Sequence, residues 1–192
     1  MRRGFKTEAE RLAQSVRERQ GLRTNQPVSL EQAAKEMGVR IIAADEIVDR
    51  SRLEELEELQ PGAFSAATFR LPDGEYVIAY SPLSTIGRRR SDQAHELAHV
   101  ILDHDVRTVE RVGTLQFLTC DVEQEEEANW LGGCLLLPRP LLLKAAKENL
   151  SASEIAERFE VSEPMARFRL NASGVLVQVG RDRAMRRKNA AD

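Results

Sequence analysis

The chain contains three histidines, and all of them fall between positions 95 and 104. Two of them bracket the run HELAH, as His95 and His99 with Glu96 beside the first. On an α-helix, residues four apart share a face with Cβ atoms about 5–6 Å apart. Two imidazoles at that spacing can converge on one metal ion, and the adjacent carboxylate can reach a water in the remaining coordination position. A fold that accommodates this needs a helix whose one face packs into a core while another opens on a cleft. It also needs a second element to bring a third ligand, because a catalytic zinc usually takes three protein ligands and keeps one position open.

Two candidates offer that third ligand. His104 lies five residues beyond His99, which on a continuous helix rotates it off the ligand face. It reads as a helix-end residue, favourable near the negative end of the dipole. The other candidate is the acidic run EQEEE at 123–127, inside EEEANWLGGCLLLP. Glu125, Asn129 and Gly132 share one helical face there. Two adjacent glycines cost roughly 1 kcal/mol each inside a helix. Their presence predicts close backbone approach to a neighbouring helix, with the HELAH helix and its small Ala98 as the candidate. Glu125 can then reach the metal, and Asn129, one turn on, can hydrogen-bond a ligand.

The rest of the chain reads as α+β. A helix over residues 5–20 carries Phe5, Ala9, Leu12, Ala13 and Val16 on one face. Ser29 with Gln32, Ser51 with Glu54, and Ser151 with Glu154 are capping boxes that open three more helices. VRIIAA (39–44) reads as a buried strand. AATFRL (66–71) and YVIAYS (76–81) flank PDGE, whose Asp-Gly pair signals a hairpin. YVIAYS is either an edge strand that receives an extended peptide or a core strand of the sheet. Tyr76 and Tyr80 are possible oxyanion donors, more often packing residues. Residues 88–104 and 122–137 are helical, with an irregular stretch over 105–121 between them. Leu53, Leu56 and Leu59 read as core, as does Trp130.

HELAHVILDH, followed some twenty residues on by E-x-E-A-N and a Leu-Leu-Leu-Pro ending, resembles the ImmA/IrrE family of metallo-endopeptidases. The likeness extends to the N-terminal helix–helix–strand segment, to RRRSDQ before His95, and to SASEIAERFEVSEPMARFRL. It implies a zinc ion held by His95, His99 and Glu125, with Glu96 as general base. It implies regulated cleavage of a helix-turn-helix repressor, releasing stress-response or mobile-element genes. Ala98, Leu131, Gly132, Gly133 and Leu137 depart from the family's commoner residues, which bears on the shape of the pocket.

The expected architecture is therefore a zincin-like metallopeptidase domain over residues 1–145, with helices around a small sheet. A small helix-turn-helix-like appendage follows over 146–180, then a basic, frayed tail over 181–192. Within 151–170 four glutamates face Arg158, Arg167 and Arg169, so the cation excess typical of DNA binding is missing. The overall net charge of −3 gives no reason to expect nucleic acid or an anionic membrane as partner. No apolar run approaches the roughly 18 residues of a membrane span. MRRGFKTEAE has no apolar core of a secretory signal. Two cysteines read as reduced thiols, so the expected location is the cytoplasm. The rival reading is a DNA-binding or repressor-sequestering regulator with a non-catalytic metal site. An intact Glu96 weighs against it, since a structural site needs no general base.

Overall fold

A computed structural model of the chain describes all residues except 24–25, 72–73, 105–107, 113–114, 120 and 191–192, and describes the backbone alone at 108–112 and 115–119. The helices are α1 (Phe5–Arg19), α2 (Leu30–Glu36), α3 (Arg50–Leu59), α4 (Ile86–Ile101), α5 (Val122–Leu136), α6 (Arg139–Lys147), α7 (Ala152–Phe159), α8 (Glu163–Ala172) and α9 (Val175–Asn189). The strands are β1 (Val39–Ala43), β2 (Ala66–Arg70), β3 (Tyr76–Tyr80), β4 (Thr108–Val112) and β5 (Leu115–Thr119). The result is an α+β domain. Among the described residues, no helix is long and apolar enough to cross a membrane.

Local chemistry sets most boundaries. Ser29 accepts from the Gln32 amide and starts α2, and Gly38, at φ 69°, stops the chain from continuing as helix before β1. Ser151 and Glu154 make a reciprocal capping box at the start of α7. Asp121 caps α5 through the Glu123 amide. Ser51 does not cap its helix: the cap position is two residues earlier, at Asp49, and Ser51 lies inside the first turn of α3. No residue of α3 is buried, and Leu59 is 79% exposed, so its leucines do not join the core as their spacing suggested.

The three-stranded sheet runs β1-β3-β2. β1 pairs parallel with β3, and β2 pairs antiparallel with it. β3 is thus the central strand, and burial of Val77, Ile78 and Ala79 explains its apolar run. Extended substrate cannot add to it; the open edges belong to β1 and β2. β1 is less buried than its sequence suggested, with Val39 alone fully inside. The stretch read as irregular contains the antiparallel pair β4–β5, Thr108 facing Thr119 and Val112 facing Leu115.

α4 and α5 cross at the centre, with α1 against α5 and the sheet against α4. Ala94, Leu97 and Ala98 from α4 share one apolar cluster with Leu131, Cys134 and Leu135 from α5 and with Phe5, Ala9 and Ala13 from α1. The same cluster takes in Ile155, Ala166, Leu170, Val175 and Val179 from α7, α8 and α9, and Val161 between α7 and α8. The helices after residue 146 therefore pack into one core with those before it, and residues 181–189, expected to fray, are the second half of α9. Cys134 is fully buried, and burial pushes its thiol far above the usual range, so it stays protonated. Cys120 lies outside the described residues.

The adjacent glycines of α5 face different partners. A Cβ on Gly132 would lie 3.0 Å from the Ala94 carbonyl and the His95 amide nitrogen, so its absence lets α5 reach the backbone of α4. A Cβ on Gly133 would fall 2.5 Å from Cδ of Arg169 in α8. Arg169 is fully buried; its Nε and Nη2 donate to the Leu137 carbonyl at 3.2 and 3.0 Å, and Nη2 also donates to Glu10 of α1 at 2.6 Å. It thereby satisfies the carbonyl at the C-terminal end of α5 and ties three segments together.

Candidate metal centre

α4 starts at Thr85, whose hydroxyl accepts from the Arg88 amide, and keeps helical geometry through HELAH. Its ligand face carries His95 and His99, side by side as the four-residue spacing requires. Their Nε2 atoms are 3.1 Å apart. Glu125, from the first turn of α5, sends one carboxylate oxygen to 3.2 Å from His95 Nε2 and the other to 3.4 Å from His99 Nε2. The approach at Gly132 sets this register, because it fixes α5 against the peptide that begins His95. Two imidazole nitrogens and a carboxylate thus converge in one place. Among the described residues, His95, His99 and Glu125 form the group able to hold a metal ion.

Glu96 is buried, and its Oε2 accepts a 2.6 Å hydrogen bond from the Thr68 hydroxyl of β2. Sequence reasoning did not single out Thr68, because its partner lies 28 residues away with no local pattern linking them. The bond fixes the carboxylate beside His95.

The other candidates fall in different places. The Asn129 side chain is exposed and lines the cleft, and makes no hydrogen bond to a described residue. What stands behind His99 is His104. α4 ends at Ile101 with Leu102 as its cap, and Asp103 takes a left-handed backbone at φ 49°. The His104 amide then returns to the His99 carbonyl at 3.0 Å. This turn brings Nδ1 of His104 to 3.0 Å from Nδ1 of His99. A continuous helix would have carried His104 away, and a left-handed aspartate leaves no reliable signal in a sequence. Burial lowers the His104 imidazole below its usual range, against the opposing pull of Glu127. Glu127 is the buried member of the acidic run. It accepts from the backbone amide and Nε of Arg2 at 2.9 and 3.2 Å.

A cavity of about 870 Å³ opens over His95, Glu96 and Glu125. Its walls include Phe64 and Ala66 at the start of β2, Asp92 and His95 of α4, Asn129 and Trp130 of α5, and Met165 and Phe168 of α8. Trp130 and Phe168 meet edge to face with centroids 5.6 Å apart. Burial raises the Asp92 carboxyl above its usual range, with Arg88 opposing at 2.8 Å. Neither Tyr76 nor Tyr80 lines the cavity.

Residues 34–171 match the peptidase family described as the IrrE N-terminal-like domain. The chain belongs to that family. The IrrE-like region runs from α2 through α8, so it contains the crossing, the donor cluster and the α8 wall alike. No curated protein matches the sequence. Among solved structures, a Mycobacterium tuberculosis transcriptional regulator is similar in fold, with a TM-score of 0.52 at 20% identity. The similarity covers 83% of this IrrE-like chain and 45% of that one, so the chain spans less than half of the regulator's length.

Proposed function

We propose that this chain is a zinc-dependent endopeptidase acting in the cytoplasm on a helix-turn-helix repressor. The observation that carries the reading is the convergence of His95, His99 and Glu125 at the floor of a cleft that also holds Glu96. Donor atoms about 2.0–2.1 Å from zinc at tetrahedral corners sit roughly 3.3–3.4 Å from one another. The imidazole nitrogens are 3.1 Å apart, and the two Glu125 oxygens approach them one each, at 3.2 and 3.4 Å, close to that figure, so the residues present suit the ion. Two imidazoles and a carboxylate also suit zinc by ligand type.

When bound, zinc supplies Lewis-acid polarisation of the scissile carbonyl and makes water a competent nucleophile near neutral pH. Glu96 takes the proton from the attacking water and returns it to the leaving amine, so the peptide bond is exchanged for a carboxylate and an amine. Thr68 holds Glu96 for both transfers. The open edge of β2, beside the cleft, offers main-chain hydrogen bonds to an extended substrate. Phe168 and Met165 of α8 give that substrate an apolar wall, which is the role we assign to the C-terminal helices.

The repressor substrate rests on the family resemblance. The rival reading, a DNA-binding regulator, loses one of its few candidate contacts, since Arg169 is fully buried. The test pairs metal content with cleavage. Purified protein should hold about one zinc per chain, and His95→Ala or His99→Ala should abolish it. Glu96→Gln should keep the metal and stop cleavage of the repressor encoded nearest the gene, read by mass spectrometry. Undiminished turnover by Glu96→Gln would remove Glu96 as the base.

A further inference from the structure

We propose that His104 and Glu127 are positioning residues that hold the His99 ring with its proton on Nδ1 and its Nε2 lone pair turned toward His95 and Glu125. The inference rests on the metal-centre reading above and adds the device that prepares one of its ligands.

The polarity of the contacts carries it. Nδ1 of His99 and Nδ1 of His104 are 3.0 Å apart, so one of the two donates to the other. The far nitrogen of His104, Nε2, faces the Glu127 carboxylate at 3.7 Å. Both side chains are more than nine-tenths buried, at 7% and 6% exposure. A carboxylate only accepts, and in a buried setting it favours the imidazole tautomer that turns N–H toward it. His104 then carries its proton on Nε2, which leaves its Nδ1 as the acceptor. The proton between the two rings therefore belongs to His99 Nδ1. The opposite arrangement would set a lone pair of His104 against the carboxylate and a proton of His99 among the donor atoms. Glu127 is itself held, by the Arg2 amide and guanidinium. The two histidine rings meet nearly at right angles, at 70° with centroids 5.0 Å apart, so the contact also sets the tilt of His99. Metal-binding histidines generally gain basicity and a fixed orientation from such an outer partner. Here an imidazole lies between the ligand and the carboxylate, reached only because the chain turns left-handed at Asp103.

The experiment uses the full chain and two readouts, zinc affinity by chelator competition and nitrogen NMR of the imidazoles in metal-free protein. His104→Phe fills the space without an acceptor. It should weaken zinc binding about 10–100-fold and remove the Nδ1-protonated signature of His99. His104→Gln keeps an acceptor and a donor and should restore most of the affinity. Glu127→Gln, nearly isosteric, should fold like the parent and fall between the two, which keeps the test decisive if His104→Phe does not fold. Three results would each overturn the proposal: affinity unchanged in both His104→Phe and Glu127→Gln, His99 protonated on Nε2 in the metal-free parent, or His104→Gln as weak as His104→Phe. A parent that binds no zinc would sink the metal-centre reading, and the metal-free NMR arm would still decide this one.

Discussion

The crossing of α4 and α5 and the seam between α5 and α8 are adjacent in space and depend on adjacent glycines, yet they are built differently. At the crossing, Gly132 admits backbone against backbone, and the gain is the placement of three donor atoms. At the seam, Gly133 admits a long side chain, and the gain is a buried guanidinium bridging α5, α8 and α1. A backbone contact cannot shift without moving whatever that backbone carries. A side-chain contact can be rebuilt locally. The crossing should therefore couple stability to metal binding, while the seam should affect stability alone.

The strongest way to break this comparison is Arg169→Ala. Glu10 is a quarter exposed and can be rehydrated, but truncating a long, fully buried side chain costs about 2–5 kcal/mol, and the Leu137 carbonyl loses its donor as well. Denaturant titration should show a loss of that size, while the molecules that remain folded keep their zinc. A loss of metal affinity in them would mean that the seam also sets the ligands.

Gly132→Ala comes next. Its new methyl meets the Ala94 carbonyl and the His95 amide at 3.0 Å, and overpacking of this kind costs about 1–3 kcal/mol. Zinc affinity should fall with stability here, because His95 moves. Gly133→Ala should lower stability and spare the affinity. Equal metal affinities in the two variants would erase the distinction between the regions.

Phe168→Ala sharpens the cleft side of the seam. The loss of its edge-to-face contact with Trp130 should cost about 0.5–1.5 kcal/mol. KM for the protein substrate should rise while kcat and metal content hold. An unchanged KM would leave α8 as packing only. Asn129→Ala should do least, within about 0.5 kcal/mol on stability and without effect on zinc affinity. A clear drop in affinity would restore the expectation that its amide holds a ligand.

How far these regions were legible in the sequence depends on the distance over which their chemistry acts. HELAH and the helix caps at Ser29 and Ser151 declare themselves within a few residues, and they stand in the structure. Glu125 needed the glycine pair as a second clue, and half of that clue concerned Arg169 instead. The partners of Arg169 and Glu127 are Glu10 and Arg2, 159 and 125 positions away, and no periodicity reports a contact of that reach. His104 was missed because one residue leaves the helix, and β4–β5 because two five-residue strands of mixed polarity make a weak pattern. The edge assignment failed for YVIAYS because strand order is a property of the sheet and not of any strand.

The guanidinium of Arg169 also bears on the order in which the molecule can be made. Glu10 emerges from the ribosome 159 residues before its partner. Until residue 170 has been synthesised, the α5 surface around Cys134 and Leu135 lacks Ala166 and Leu170 to cover it. Contacts of such sequence separation are slow to form, and the open intermediate exposes apolar surface in the meantime. Closure of the core is thus postponed until α8 has been synthesised. A nascent chain stopped near residue 150 would carry both histidines of HELAH and Glu125 on helices that nothing yet holds at their final spacing.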